Sequence, residues 1–264
     1  MIRKNFHTHT LFCDGADTPE QIVQAAIAEE MTALGFSAHS FTDFDLSYCI
    51  KPENISVYKN EIRELKRRFH GKINIYCGFE LDLYSSTAAY KDADYIIGSA
   101  HYIKLGKNFL SVDESRERQI ADADRFFSGS LEKYAAAYFE TAAEICEKLH
   151  PDFIGHFDLV NKFNEGGNLF DSSCGIVKNA WQEAAKRLCE SGVPFEINTG
   201  AIARGKRTTP YPDIDMAEFI AQHGGKFILS SDCHDKSKLL CGFEDAEKQF
   251  KKYDIIDFEA RILR

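Results

Sequence analysis

Residues 2–39 read IRKNFHTHTLFCDGADTPEQIVQAAIAEEMTALGFSAH, and they contain one complete strand–helix–strand unit. The short runs at 2–6 and 33–38 have the length of buried strands. Between them, Thr18-Pro19-Glu20-Gln21 opens a helix: Thr18 can cap, Pro19 fits the first turn, and Gln21 can reach back as in a capping box. Ile22, Val23, Ala26 and Ile27 give that helix a buried face. Two parallel strands joined by a helix form the elementary unit of a parallel α/β sheet.

The unit recurs along the chain. Further strand-like runs lie at 73–79, 95–100, 153–155, 195–198 and 227–230, which makes about seven strands by pattern counting. A second helix places Ile55, Tyr58, Ile62, Leu65 and Phe69 on one side. A third does so with Leu131, Tyr134, Tyr138, Ala142, Ile145 and Leu149. Later helices centre on 181–189, 216–220 and 243–250, the first two running into Gly192 and Gly224 as stop signals. Seven such units within 264 residues predict an α/β fold closed as a TIM-like barrel in preference to an open doubly wound sheet. With no linker-like stretch or internal repeat, one domain over 1–264 is expected. The charged, weakly periodic segment 102–129 is expected to be an insertion over the barrel mouth.

Composition narrows the function. A formal net charge of −9 opposes extended binding to a polyanion, so a small-molecule substrate is expected and nucleic acid is not. No apolar run is long enough to span a membrane, and none follows the N-terminal basic residues as in an export signal. The eight cysteines are scattered without a C-x-x-C pair, the pattern of reduced thiols in a cytoplasmic protein. Oligomeric state has no signature here.

The chemistry sits where each predicted strand ends: His7 and His9, His39, Glu80, His101, His156, then Asp232 and His234. Strand side chains alternate, so each i, i+2 pair, His7/His9 and Asp232/His234, shares one face, with Thr8 and Cys233 turned away. In parallel barrels the C-terminal strand ends meet in one pocket. The other three histidines, His70, His150 and His223, fall at predicted helix ends, where imidazolium complements the helix dipole. Imidazoles with shared carboxylates suit Zn²⁺, Mn²⁺ or Fe²⁺. Clustered ions about 4 Å apart recur in hydrolases that clamp attacking and leaving oxygens, and phosphate esters are their natural substrates.

These motifs, HTHT, the Glu of GFELD, the His of SAHY, GHFD and SDCH, resemble the PHP (polymerase and histidinol phosphatase) family over nearly the whole chain. HTHTLFCDGADTPE, GHFDLVNKF and EINTGAIARGKRTTPYP look most like its stand-alone histidinol-phosphate phosphatases. The resemblance implies a distorted (β/α)7 barrel with three divalent metals at the C-terminal strand ends. By motif, His7, His9, Glu80 and Asp232 would hold one ion, with Glu80, His101 and His156 holding a second. Asp14, His39 and His234 would hold the third, although the Asp14-Gly15 pair is also an ordinary turn signal. The activity implied is hydrolysis of L-histidinol phosphate, in histidine biosynthesis, by a metal-bridged hydroxide.

Arg204 is the foremost candidate for holding the phosphate, because a guanidinium offers matched paired donors; Lys162, Lys206 and Arg207 are secondary. Asn198 is expected to orient its loop. Asp113, Glu114 and Glu117 are candidates for the substrate's ammonium, against the plainer reading of solvated charge. Asp232 or His234 could return a proton to the leaving alkoxide, although metal ligands make poor free acids. The rivals are a relative of other specificity (nucleotide, phosphotyrosine or exonuclease) and, further off, an amidohydrolase-type deaminase.

Overall fold

The computed structural model describes residues 2–263. Seven strands, all parallel, form one sheet in the order β1 (Lys4–Asn5), β2 (Ala33–His39), β3 (Asn74–Asp82), β4 (Tyr95–Ser99), β7 (Phe153–Ile154), β8 (Phe195–Asn198) and β9 (Phe227–Ser230). A parallel bridge between Thr8 and Cys233 joins the two outermost strands, curling the sheet into a distorted TIM-like barrel. The connecting helices are α1 (Pro19–Ala28), α2 (Ile55–Arg68), α4 (Leu131–Ala142), α5 (Ile145–Leu149), α6 (Gly175–Glu190), α7 (Gly200–Ala203), α8 (Ile214–Gln222), α9 (Phe243–Phe250) and α10 (Phe258–Ile262).

Local chemistry sets these boundaries. The capping box at α1 forms as expected: Gln21 N–H donates to the Thr18 hydroxyl at 3.3 Å, and the Gln21 side chain accepts from Thr18 N–H at 3.0 Å. The single helix expected from Leu131 to Leu149 is two. The Glu144 N–H bonds to the Thr141 carbonyl three residues back, which tightens the backbone into a turn between α4 and α5. Tyr134, Tyr138, Ala142, Ile145 and Leu149 nonetheless all stay buried, so the apolar stripe survives the break. Strand β3 runs three residues past its expected end, placing Glu80 and Asp82 on one face inside the strand.

Segment 102–129 is regular: β5 (Tyr102–Leu105) and β6 (Asn108–Ser111) pair as an antiparallel hairpin apart from the barrel sheet, and α3 (Arg116–Phe126) follows. Phe44, in the loop after β2, stacks on Phe109 of the hairpin with centroids 3.7 Å apart. Of the three set-aside histidines, His150 and His223 are the C-caps of α5 and α8 and His70 lies just past α2. The His223 ring donates to the Phe219 carbonyl at 2.8 Å. All eight cysteines are unpaired. Among the described residues no helix is long and apolar enough to cross a membrane.

Candidate metal centre

The predicted ligands converge at the C-terminal end of the barrel. His7 and His9 follow β1 and are fully buried, while Thr8 between them faces away to accept from Asn5. His39 ends β2 in register with Glu80 of β3. His101, His156 and Asp232 follow β4, β7 and β9. Asp232 adopts a left-handed backbone, with φ of 47°, a conformation that costs a non-glycine residue of order 1–3 kcal/mol and is retained mainly at functional sites. Asp14 sits in a tight turn whose Gly15 N–H reaches back to the Thr10 carbonyl. A Cβ on Gly15 would lie 2.5 Å from the His9 carbonyl carbon, so only glycine lets this loop close over His9. The same turn brings the Asp14 carboxylate up to His39 and His234.

Glu80 is the hub. Its Oε2 lies 3.1 Å from His7 Nε2, 3.5 Å from His9 Nε2 and 3.0 Å from His39 Nδ1, and its Oε1 lies 2.9 Å from His156 Nε2 and 3.3 Å from His101 Nε2. Asp232 Oδ1 lies 3.2 Å from His9 Nε2 and 3.6 Å from His7 Nε2. Asp14 reaches His234 Nε2 at 3.2 Å and His39 Nε2 at 3.7 Å. Ligand bonds of 2.0–2.1 Å in a tetrahedron separate donor atoms by about 3.4 Å, so these spacings match the edges of coordination polyhedra. His7 Nε2, His9 Nε2 and Glu80 Oε2 are buried without a hydrogen-bond partner, a costly state unless a cation satisfies them. The donor set fits divalent metals.

The grouping departs from the motif-based partition at three residues: His156 also groups with His7 and Asp232, and His39 with Glu80 and His101. His9 also joins Asp14, His39 and His234, its ring lying between those of His39 and His234 at 4.2 Å from each. His39 reaches towards Glu80 with one nitrogen and Asp14 with the other. Electrostatics follow from the crowding. Burial and the neighbouring His234 and His39 push His9 down to about 3, leaving it neutral with a free lone pair. Burial works to raise the Glu80 carboxyl, but His7, His39 and His101 outweigh it and hold it well below the carboxylate range.

Behind these side chains lies a further set of contacts that the sequence did not point to. His7 Nδ1 lies 2.6 Å from Glu196 of β8, His101 Nδ1 lies 3.2 Å from Asp82, and the Ser99 hydroxyl donates to Glu80 Oε1 at 2.6 Å. Carboxylates behind ligating imidazoles are the usual means of fixing ring orientation. The available signal was an ionisable residue inside an otherwise apolar strand, as in FEIN and GFELD.

Beside the ligands opens a cleft of about 330 Å³. Arg204, after α7, donates from Nη2 to Asp232 Oδ2 at 2.8 Å and from Nη1 to the Asp232 carbonyl at 3.0 Å. Lys162 also lines the cleft and donates to Asp113 Oδ2 at 3.1 Å. Asp45, Asp113 and Glu114 supply negative charge, with Tyr48 and Tyr102 between. Lys206 and Arg207, expected among the phosphate donors, do not line the cleft. Lys206 is exposed outside the cleft. Arg207 is buried beneath it, stacked on Tyr211 and bonded to Asp213 and to the Asn161 carbonyl, so its donors are spent on the loop. Glu117 likewise points to solvent from the first turn of α3. Asn198 bonds Glu196 and the Gly200 N–H, anchoring the loop that carries Arg204.

The chain is similar over 94% of its length, at 28% identity, to a protein of Schizosaccharomyces pombe named "Probable histidinol-phosphatase", covering 86% of that protein. It is 22% identical over 92% of its length to the histidinol-phosphatase of Bacillus subtilis, covering 98% of it. A crystal structure of a histidinol phosphate phosphatase from Lactococcus lactis, complexed with zinc, L-histidinol and phosphate, superposes with a TM-score of 0.70 at 20% identity, over 97% of this chain and 95% of that one. The model of the PHP domain matches residues 5–200, and in keeping with its barrel and convergent histidines the chain belongs to the PHP domain family.

Proposed function

We propose that this chain is a phosphoric monoester hydrolase that cleaves L-histidinol phosphate to L-histidinol and phosphate, a step of histidine biosynthesis carried out in the cytoplasm. The carrying observation is the pairing of partnerless metal-facing donors with a cleft of mixed charge. Three ions, zinc, manganese or iron, are assigned to the nine residues His7, His9, Asp14, His39, Glu80, His101, His156, Asp232 and His234. When bound, such ions supply positive charge to the phosphoryl oxygens and lower the pKa of water. Histidinol-phosphatase relatives aligned over more than nine-tenths of the chain support the substrate. The absence of a long apolar helix among the described residues and the unpaired thiols favour the compartment.

The chain's own residues divide the remaining work. Arg204 presents a guanidinium edge at the rim of the ligand cluster, placed to neutralise charge gathering on the equatorial oxygens. Lys162 adds a second positive charge. Asp232 has one oxygen held by Arg204 and the other facing His7 and His9, while His234, 23% exposed at the rim, stands nearer the water through which the departing alkoxide would gain its proton. The hairpin and α3, as an insertion over the mouth, close the carboxylate-bearing wall where an ammonium would sit. The net charge favours such a small substrate over a nucleic acid.

The test is phosphate release by metal-reconstituted protein from L-histidinol phosphate, phosphoserine, phosphotyrosine, nucleoside monophosphates and an aryl phosphate. A preference of about a hundredfold in kcat/KM, roughly 2.7 kcal/mol of differential transition-state binding, is expected for L-histidinol phosphate. Equal low rates on all five would overturn the substrate assignment, and release from none with metals bound would overturn the phosphatase itself.

A further inference from the structure

Glu196 is a fully buried carboxylate at the barrel top that faces no expected ion position directly, yet it touches the site from behind. Four donors point at its two oxygens. Oε1 meets the His7 Nδ1 at 2.6 Å and the Ser230 hydroxyl at 2.5 Å; Oε2 accepts from the His156 N–H at 2.8 Å and from Asn198 Nδ2 at 2.9 Å. The residue therefore ties together the segments after β1 and β7 with β8 and β9. Gly200 N–H donates to the other end of the Asn198 amide at 2.8 Å, extending the network to the helix that precedes Arg204.

A carboxylate only accepts hydrogen bonds, and a neutral imidazole carries its proton on one nitrogen alone. A ring that donates to Glu196 from Nδ1 has its lone pair on Nε2, the atom that stands buried and partnerless 3.1 Å from Glu80. We propose that Glu196 is a positioning residue that locks His7 in the Nδ1–H tautomer, so that Nε2 is always offered to a metal ion. This inference rests on the metal-site assignment above.

Replacement by glutamine tests it with little change of shape. The His156 N–H and the Asn198 amide are obligate donors, so the glutamine oxygen must turn towards them and its NH₂ must face His7 and Ser230. The Ser230 hydroxyl can rotate to accept. His7 can accept only by moving its proton to Nε2, which removes it as a ligand. Wild type and Glu196→Gln are stripped with a chelator and titrated with Zn²⁺ alone, and the metal-free forms are melted in parallel.

The expected result is that one ion of the wild-type complement binds about 10- to 100-fold more weakly in the variant, while the other ions bind as before and the metal-free melting curve stays cooperative. Unchanged affinity for every ion overturns the inference. Should the variant fail to fold, ¹⁵N-histidine spectra of the zinc-loaded wild type decide instead: His7 must carry its proton on Nδ1, and a proton-free Nδ1 overturns the proposal. A wild type that binds no divalent ion overturns the metal assignment itself, an outcome distinct from wild-type binding with an unaltered variant.

Discussion

The two ends of the barrel are built by the same strands on opposite terms. At the N-terminal end, Lys4 pairs with Asp257 and Glu259 at 2.8 Å each, and Glu259 also accepts from Asn74 at 2.7 Å and Tyr76 at 2.9 Å. Above them Phe6, Tyr95, Phe153 and Phe258 pack largely edge to face, and the Tyr95 hydroxyl donates to the carbonyls of Phe6 and Phe36. At the C-terminal end, imidazoles crowd together, buried donor atoms lack partners and Asp232 is left-handed. One end is satisfied within the chain, and the other is arranged for something the chain does not contain. The stability that the first contributes is what lets the second keep a costly arrangement.

The contrast can be broken most forcefully at Glu80. Glu80→Gln should lower kcat/KM by at least about a thousandfold, or about 4 kcal/mol at the barrier. It should reduce bound metal in elemental analysis while the metal-free protein still melts cooperatively. Retained turnover at full metal content would remove Glu80 from the site. Phe258→Ala makes the reciprocal cut: loss of a buried ring costs about 3–5 kcal/mol, a fall in Tm on the order of ten degrees, with metal content unchanged. If activity per folded molecule fell as steeply as with Glu80→Gln, the two ends would not be separable.

The smallest effect is a matter of pH. Burial works to raise the Glu259 carboxyl, but its bonds to Lys4, Asn74 and Tyr76 outweigh that and leave it below its usual value. A depressed carboxyl contributes stability above its unfolded pKa and loses it as pH falls through the folded one. Glu259→Gln should therefore flatten the acid side of the metal-free stability curve, in denaturant titrations from pH 7 down to pH 3, and leave the pH profile of turnover unchanged. A curve as steep as wild type would assign acid lability elsewhere.

Sequence alone exposed the C-terminal end better than the rest. Alternation along strands and the arrest of each apolar run at a histidine or acid were enough to gather His7, His9, His39, Glu80, His101, His156, Asp232 and His234, because register and donor-atom type are both written in single residues. Glu196 and Asp82 escaped because a lone acid in an apolar strand declares only that it has a partner, and the partner is supplied by another strand. Arg207 failed as a phosphate candidate for the converse reason. A loop arginine in GKRTTPYPD reads as free until the fold brings Asp213 and Asn161 to it. The split of the long helix at Glu144 left no trace in apolar spacing, since the stripe continues across the turn.

The bridge between Thr8 and Cys233 also bears on how the molecule assembles. The His9 N–H meets the Cys233 carbonyl at 2.7 Å and the Cys233 N–H meets the His7 carbonyl at 3.0 Å, where β2 and β3 share seven paired positions. The ring is thus shut by a narrow latch between its earliest and latest strands, and the latch lies among proposed ligands from both. On that assignment, an ion gripped by His7, His9 and Asp232 fastens the two extremes of the barrel together, as a crosslink would. A chain lacking its last strand would keep His7, His9 and Glu80 and lose only Asp232, so the closing of the ring is what would complete that ion's set of donors.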